Sequence, residues 1–340
     1  MKLTNELRKE LRAKVKALKK AKLELRKKYN VAMGDTMDPA PVGYVENDPE
    51  RHMVFDRWRK KLGKNYTDFE KTVLKILKEK APVTKKSEQV KLDESNLWLW
   101  GGPTPFWGGS TAPDALVTAA EYFGIKNGFY VYGSTNAEMI GKHSSFNKLL
   151  CQINKNCRTK EVQDELTEEE NAELLSKLSL DFPNITGAMC DDVTNNLKGN
   201  ILPAEFSPRY EALKKHNPDL KLYGTVYVHE LTKKDFTVIQ PYIDVVTLWF
   251  WSMTEIVDYD ENIKRCQQAF PGKKILQGVF VHDYGLSDCG AIPELLNFQL
   301  DRARKYIKDG ILEGVVLLGD REIKKWPTVA AAVKKYLQEQ

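Results

Sequence analysis

No cysteine pair in this chain has metal-binding spacing, no glycine-rich stretch has the form of a phosphate cradle, and no apolar run is long enough to cross a bilayer. The five cysteines, Cys151, Cys157, Cys190, Cys266 and Cys289, are odd in number and scattered without a CxxC pair. That argues against a disulfide framework and against a structural zinc site. The lack of a run of about 18 apolar residues removes a helical membrane span. No GxGxxG turn follows any strand-like run, which disfavours a doubly wound dinucleotide fold. No HxH pair and no barrel lysine stands out. The first residues hold no apolar segment of signal-peptide type, so the expected compartment is the cytoplasm unless a signal has been removed.

What is present is ample for a core: 340 residues with 42% hydrophobic content. The net charge of +5 hides an asymmetry, because residues 1–95 hold 25 Lys/Arg against 15 Asp/Glu while the remainder holds 27 against 32. A basic portion therefore precedes a mildly acidic one. Residues 4–29 read as a long charged helix, with Leu7, Leu11, Val15, Leu18 and Leu23 among lysines, arginines and glutamates. The stretch from Asp35 to Pro49 breaks it. A second helical region is expected from about His52 to Lys80, with Phe69, Val73, Ile76 and Leu77 as its apolar stripe. Lysine-rich amphipathic helices are usually solvated faces, so residues 1–95 are expected to dock as a basic helical extension, and nucleic acid is not an expected partner.

From Leu97 onward, segments alternate between an aliphatic and an aromatic or ionisable face. Leu97 and Leu99 oppose Trp98 and Trp100. Phe129 and Val131 oppose Tyr130 and Tyr132. Leu222, Gly224, Val226 and Val228 oppose Tyr223, Thr225, Tyr227 and His229, and Val246, Leu248 and Phe250 oppose Thr247, Trp249 and Trp251. Successive strand side chains point to opposite faces, so each strand has one surface for a helix and one for something polar. Eight strand-like runs begin near Leu97, Gly128, Lys148, Ile185, Leu220, Val245, Ile275 and Gly314, with helix-like segments between them. Pro203 and Pro293 stand where helices can start. Eight β-α units over residues 96–340 match a (β/α)8 TIM barrel, typically about 250 residues.

Chemistry in such barrels lies at the carboxyl ends of the strands. The ends carry Trp98 and Trp100; Tyr130 and Tyr132; Gln152; Asp191 and Asp192; His229 and Glu230; Trp249 and Trp251; His282 and Asp283; and Asp320. Period two makes Asp192 a parity mate of Thr186, Ala188 and Cys190, and Asp283 a parity mate of Gln277. The expected inward set is Asp192, His229 and Asp283, with Asp191, Glu230 and His282 beside them. Strands four and seven lie on opposite sides of the barrel, so Asp192 and Asp283 are expected to face each other across the mouth. Flat aromatic faces with a polar edge suit sugars, which nominates Trp100, Tyr132, Gln152, Trp249, Trp251, His282 and Asp320 as carbohydrate contacts. No cofactor and no metal ligand set is expected, since ligands from separate strands carry no spacing signal.

The chain resembles the glycosidase-type TIM barrels, and within them bacterial glycoside hydrolase-like proteins. The resemblance rests on Gly187-x-x-x-Asp191-Asp192 ending strand four, His282-Asp283-Tyr284-Gly285 ending strand seven, and Gly314 to Gly319 in strand eight, and it covers about residues 97–340. It implies an acid/base at the end of strand four and a nucleophile at the end of strand seven, the positions of Asp191/Asp192 and Asp283. The best-known clan uses glutamates there, with an Asn-Glu pair on strand four that this sequence lacks. The reading that follows is a glycoside hydrolase-like enzyme using two carboxyls for acid/base catalysis. Two other readings stand beside it: a metal-dependent barrel lyase, isomerase or hydrolase built on His229 and the same carboxylates, and a non-catalytic carbohydrate-binding barrel.

Overall fold

The computed structural model describes residues 4–28, 59–80, 90–103, 110–156, 158–194, 203–286, 289–320 and 322–340. The breaker from Asp35 to Pro49 and the expected onset of the second helix at His52 lie outside the described residues. Eight strands follow the N-terminal helices: β1 (Leu97–Gly101), β2 (Asn127–Tyr130), β3 (Lys148–Gln152), β4 (Ile185–Cys190), β5 (Lys221–Tyr227), β6 (Val245–Trp249), β7 (Lys274–Phe280) and β8 (Leu312–Leu318). Each pairs in parallel with the next, and β8 returns to β1 to close a (β/α)8 barrel.

Local signals set the helices between the strands. The helix Ala115–Phe123 buries Leu116, Ala119, Ala120 and Phe123, and stops at Gly124, whose φ of 73° is the left-handed cap that glycine adopts at little cost. Thr167 and Glu170 form a reciprocal capping box that starts Glu168–Asp181. Pro293 opens Pro293–Lys308, where its missing N–H costs nothing.

Ring contacts show which faces look into the lumen. Trp100 of β1 meets Trp249 of β6 edge to face at 5.4 Å, and Phe129 of β2 meets Tyr223 of β5 at 5.8 Å. These strands are not neighbours, so the rings can meet only through the barrel interior. Gly278 of β7 makes room for them, because a Cβ there would lie 2.0 Å from Trp249 Cδ2. The aromatic sets of β1, β5 and β6 thus face inward as the alternation indicates.

Three strands depart from the expected parity. On β2, Phe129 is inward, whereas Tyr130 turns to the helical layer, its ring 4.5 Å from His143. On β7, Gln277 faces outward and accepts a hydrogen bond from Tyr259 of the helix Tyr259–Ala269 at 2.7 Å. Gly278 and Phe280, of the opposite parity, pack against the inward Trp249. On β4, Gly187 and Met189 are registered beside the inward Leu150 and Gln152 of β3, which puts Ala188 and Cys190 on the outer face. On β4 and β7 the smaller or polar Cys190 and Gln277 serve the helix interface, while Met189 and Phe280 face the lumen.

The N-terminal helices Asn5–Lys28 and Lys64–Lys80 pair through Lys14–Asp68 and Lys75–Glu10, each 3.0 Å. Such exposed pairs contribute little. Burial contributes more: Phe69, Val73 and Ile76 are fully buried, and side chains of this kind stabilise by about 1.5–3 kcal/mol each. The pair docks where the chain leaves β6 and β7. Arg8 grips Asp258 with two bonds of 2.9 and 3.0 Å, and Tyr66 donates to the Gly290 carbonyl at 3.5 Å. No helix among the described residues is long and apolar enough to cross a membrane.

Candidate active site at the barrel mouth

Among the described residues, two non-glycine residues have left-handed backbone, Tyr132 (φ 72°) and Asp192 (φ 47°). Both follow the carboxyl ends of barrel strands. Strain of this sort costs on the order of 1–3 kcal/mol and persists only where surrounding contacts enforce it. Gln152 enforces the first: its Oε1 accepts the Tyr132 N–H at 2.8 Å, and its Nε2 donates to Asn154 Oδ1 at 3.1 Å and to the Asn156 carbonyl at 2.6 Å. Asn154 in turn holds the Asp191 backbone on both sides, accepting from its N–H at 2.9 Å and donating to its carbonyl at 2.7 Å. The second strained residue is held through its side chain.

Asp192 is the centre of the cluster. Its Oδ1 accepts from the Tyr227 hydroxyl, and its Oδ2 accepts from Asn156 Nδ2 at 2.9 Å. Plain alternation from the outward Cys190 turns Asp191 inward and Asp192 away. The left-handed turn at Asp192 overrides that count and carries its carboxylate to Tyr227, an inward residue of β5. Asp192 therefore reaches the mouth, but by a backbone inversion that parity did not foresee. Burial, then the charges of Asp192 and Asp191, push the Tyr227 phenol well above its ordinary range. Tyr227 stays a proton donor, and both carboxylates lie within its electrostatic reach.

Aromatic rings line the same side. The Tyr227 ring stacks on His229 at 5.6 Å and meets Trp251 edge to face at 5.2 Å, and Trp251 stacks on Tyr284 at 4.8 Å. Tyr227, His229 and Trp251 are all partly exposed. His229 Nδ1 lies 3.5 Å from Glu255. Glu255 is also the capping-box residue of the helix Met253–Val257, which brings the imidazole beside the start of the helix after β6.

The other expected site residues have the following partners. Glu230 is buried, with Oε1 accepting from Thr194 and Oε2 accepting the Tyr227 N–H at 3.1 Å, which caps its own turn. Asp283 is fully buried, and its Oδ1 accepts the Met253 N–H at 3.0 Å at the start of the helix after β6. It fastens two loops and lies near Tyr66, whose phenol its charge helps to push up. Counted on from β7, Asp283 has the parity of the outward Gln277, opposite to the inward parity expected of it. His282 has the inward parity but is sealed: its Nδ1 meets Glu322 Oε2 at 2.7 Å and its ring stacks on Trp326 at 4.2 Å. Asp320 accepts the Gly102 N–H at 3.0 Å, tying β8 to β1. Trp100 and Trp249 are 3% and 2% exposed and plug the lumen, so neither presents a face to a ligand. Trp100 Nε1 donates to the Tyr132 hydroxyl at 3.1 Å. Gln152 is fully buried beneath the mouth.

Sequence reasoning left out Tyr227, Asn156 and Glu322. The alternation of β5 does mark Tyr227, two positions beyond Thr225 on the inward face. Asn156 lies in a connection and Glu322 opens the four-residue helix Glu322–Lys325, where no period points to them. Among the described residues no three of His, Cys, Asp and Glu stand close enough to hold a metal ion.

No family model matches the sequence, and no curated protein is significantly similar to it. Solved structures with a similar fold include a xylanase-alpha-amylase inhibitor protein in complex with trehalose, with 13% identity over 74% of this chain and 99% of that one and a TM-score of 0.47. A GH10 xylanase of Thermobacillus composti has 11% identity over 73% of this chain and 100% of that one, with a TM-score of 0.46. The active domain 2 of a thermostable chitinase from Pyrococcus furiosus, complexed with chito-oligosaccharides, has 12% identity over 67% and 84%, with a TM-score of 0.44. Each likeness is distant and is one of fold alone.

Proposed function

We propose that the protein is a carbohydrate-processing enzyme of glycoside hydrolase type, with Asp192 and Asp191 as its acid/base carboxyls. The observation that carries this reading is Asp192 itself, a strained aspartate at the mouth whose two oxygens are oriented by Tyr227 and Asn156. Oriented in this way, it acts as the proton acceptor or nucleophile, and Asp191 supplies the second carboxyl. Trp251 and Tyr284, stacked face to face, form the wall against which a sugar ring is bound. His229, half-exposed beside Trp251, contacts the sugar or its leaving group.

The test is turnover on a panel of aryl and natural glycosides, run with wild type, Asp192→Asn and Asp191→Asn. The reading requires turnover by the wild type that survives a metal chelator and is lost in both variants, with oligosaccharide binding retained. Turnover abolished by the chelator moves the chemistry to a metal-dependent mechanism. Binding without turnover on any glycoside makes the barrel a carbohydrate-binding module.

A further inference from the structure

The second site lies where the N-terminal helices meet the barrel wall. A cavity of about 550 Å³ opens there, and six cations line it: Arg8, Lys80, Lys264, Arg265, Arg302 and Lys305. Among the described residues three carboxylates, Asp258, Asp260 and Glu261, line it with them, and Asp309 pairs with Lys305 from outside the lining, so six cations meet four carboxylates. Asp258 is shared between Arg8, which takes both its oxygens, and Lys80 at 3.7 Å. Asp260 sits 3.7 Å from Arg302 and also accepts the Tyr306 hydroxyl. Glu261 faces Arg265 at 3.7 Å. Lys264 makes no ion pair among the described residues.

Two of these cations are held under stress. Lys80 is only 12% exposed. Burial lowers its pKa, and the neighbouring Arg8 and Arg302 add to the effect against Asp258 and Asp260. Arg302 spends one amino group on the Lys80 carbonyl at 3.2 Å, and its Nε is buried without a hydrogen-bond partner. A bound anion relieves both conditions at once.

We propose that this cavity binds a phosphoryl group, free or carried on a small molecule. A doubly charged oxyanion matches the excess of cations, and guanidinium forks fit its tetrahedral oxygens better than they fit a lone halide. The volume falls in the range of about 300–1,000 Å³ usual for small-molecule sites, which exceeds what inorganic phosphate fills and favours a carried group. A concave site of this size suits a small molecule rather than a nucleic-acid backbone. The proposal is independent of the mouth chemistry, since none of these residues belongs to it.

The full chain is titrated by calorimetry with inorganic phosphate, with glucose 6-phosphate and with glucose, beside Lys264→Glu and Arg302→Gln. Saturable binding of a phosphorylated probe, absent for glucose and weakened about tenfold or more in both variants, supports the site. Equal affinity for the two phosphates identifies free phosphate as the ligand, and tighter binding of the ester identifies a phosphorylated small molecule. Lys264 is exposed, so the melting curve of Lys264→Glu should match wild type and keep that variant interpretable even if Arg302→Gln folds poorly. No binding of either phosphate, or binding that Lys264→Glu leaves unchanged, overturns the proposal, as does binding of acidic peptides without phosphate.

Discussion

The two sides of the barrel mouth use the same residue types for opposite ends. On the β4–β5 side, Asp192 meets a phenol and a side-chain amide and lies beside partly exposed Tyr227, His229 and Trp251. On the β7–β8 side, Asp283, His282 and Glu322 are buried, facing a backbone N–H and each other. A buried carboxylate must be paired where it sits, because an unpaired charge is costly. A partly exposed one held by side chains is free of that demand and can exchange a proton with a ligand. Strand-end acids in one barrel thus differ in how they are held, and Asp283 and Asp192 are told apart better by their partners than by their position on the strand.

Asp192→Asn gives the largest expected effect. Turnover should fall about 10²–10⁴-fold, the usual contribution of a positioned acid or base, while the melting temperature moves little, since asparagine tolerates left-handed backbone well. The tryptophans come next. Trp100→Ala, in the packed lumen, should cost about 3–5 kcal/mol in chemical denaturation. Trp251→Ala should leave stability nearly intact and weaken oligosaccharide binding about tenfold. A large stability loss in both would erase the distinction between plug and platform. Asp283→Ala should cost about 1–3 kcal/mol by stranding the Met253 N–H, with turnover per folded molecule nearly unchanged; a selective loss of turnover would instead return Asp283 to the reaction. The smallest effect belongs to Tyr132→Phe, which removes the acceptor for Trp100 Nε1 and should cost about 1 kcal/mol.

The barrel itself was legible because it depends on repetition. Strand starts expected at 97, 128, 148, 185, 220, 245, 275 and 314 fall within two residues of those observed, and Pro293 marks the start of its helix. Which face looks inward was harder to read. β1, β5 and β6 follow the aromatic rule, but Tyr130, Cys190 and Gln277 face helices, where His143, Arg209 and Tyr259 receive them. Alternation specifies two faces and does not say which is the lumen when both carry polar groups. Of the expected site residues, Asp192, His229 and Trp251 all touch Tyr227, whereas Glu230, Gln152 and Asp283 are buried and bonded to backbone N–H groups. A left-handed turn at a non-glycine residue leaves no trace in the hydrophobic pattern, so the route by which Asp192 arrives could not be read from it.

The latch between the N-terminal helices and the barrel bears on the order in which the molecule is made. Arg8 meets Asp258 across 250 residues, and Tyr66 meets Gly290 across 224. During synthesis the first helices leave the ribosome long before their docking surface exists. They can pair with each other early, through Lys14–Asp68 and Lys75–Glu10. The faces of Phe69, Val73 and Ile76 that end up buried must wait for the last quarter of the chain. Contacts this distant in sequence form late, and apolar surface exposed in the meantime invites aggregation. The lysines of this segment give it a net positive charge, and like charge on separate molecules opposes that association.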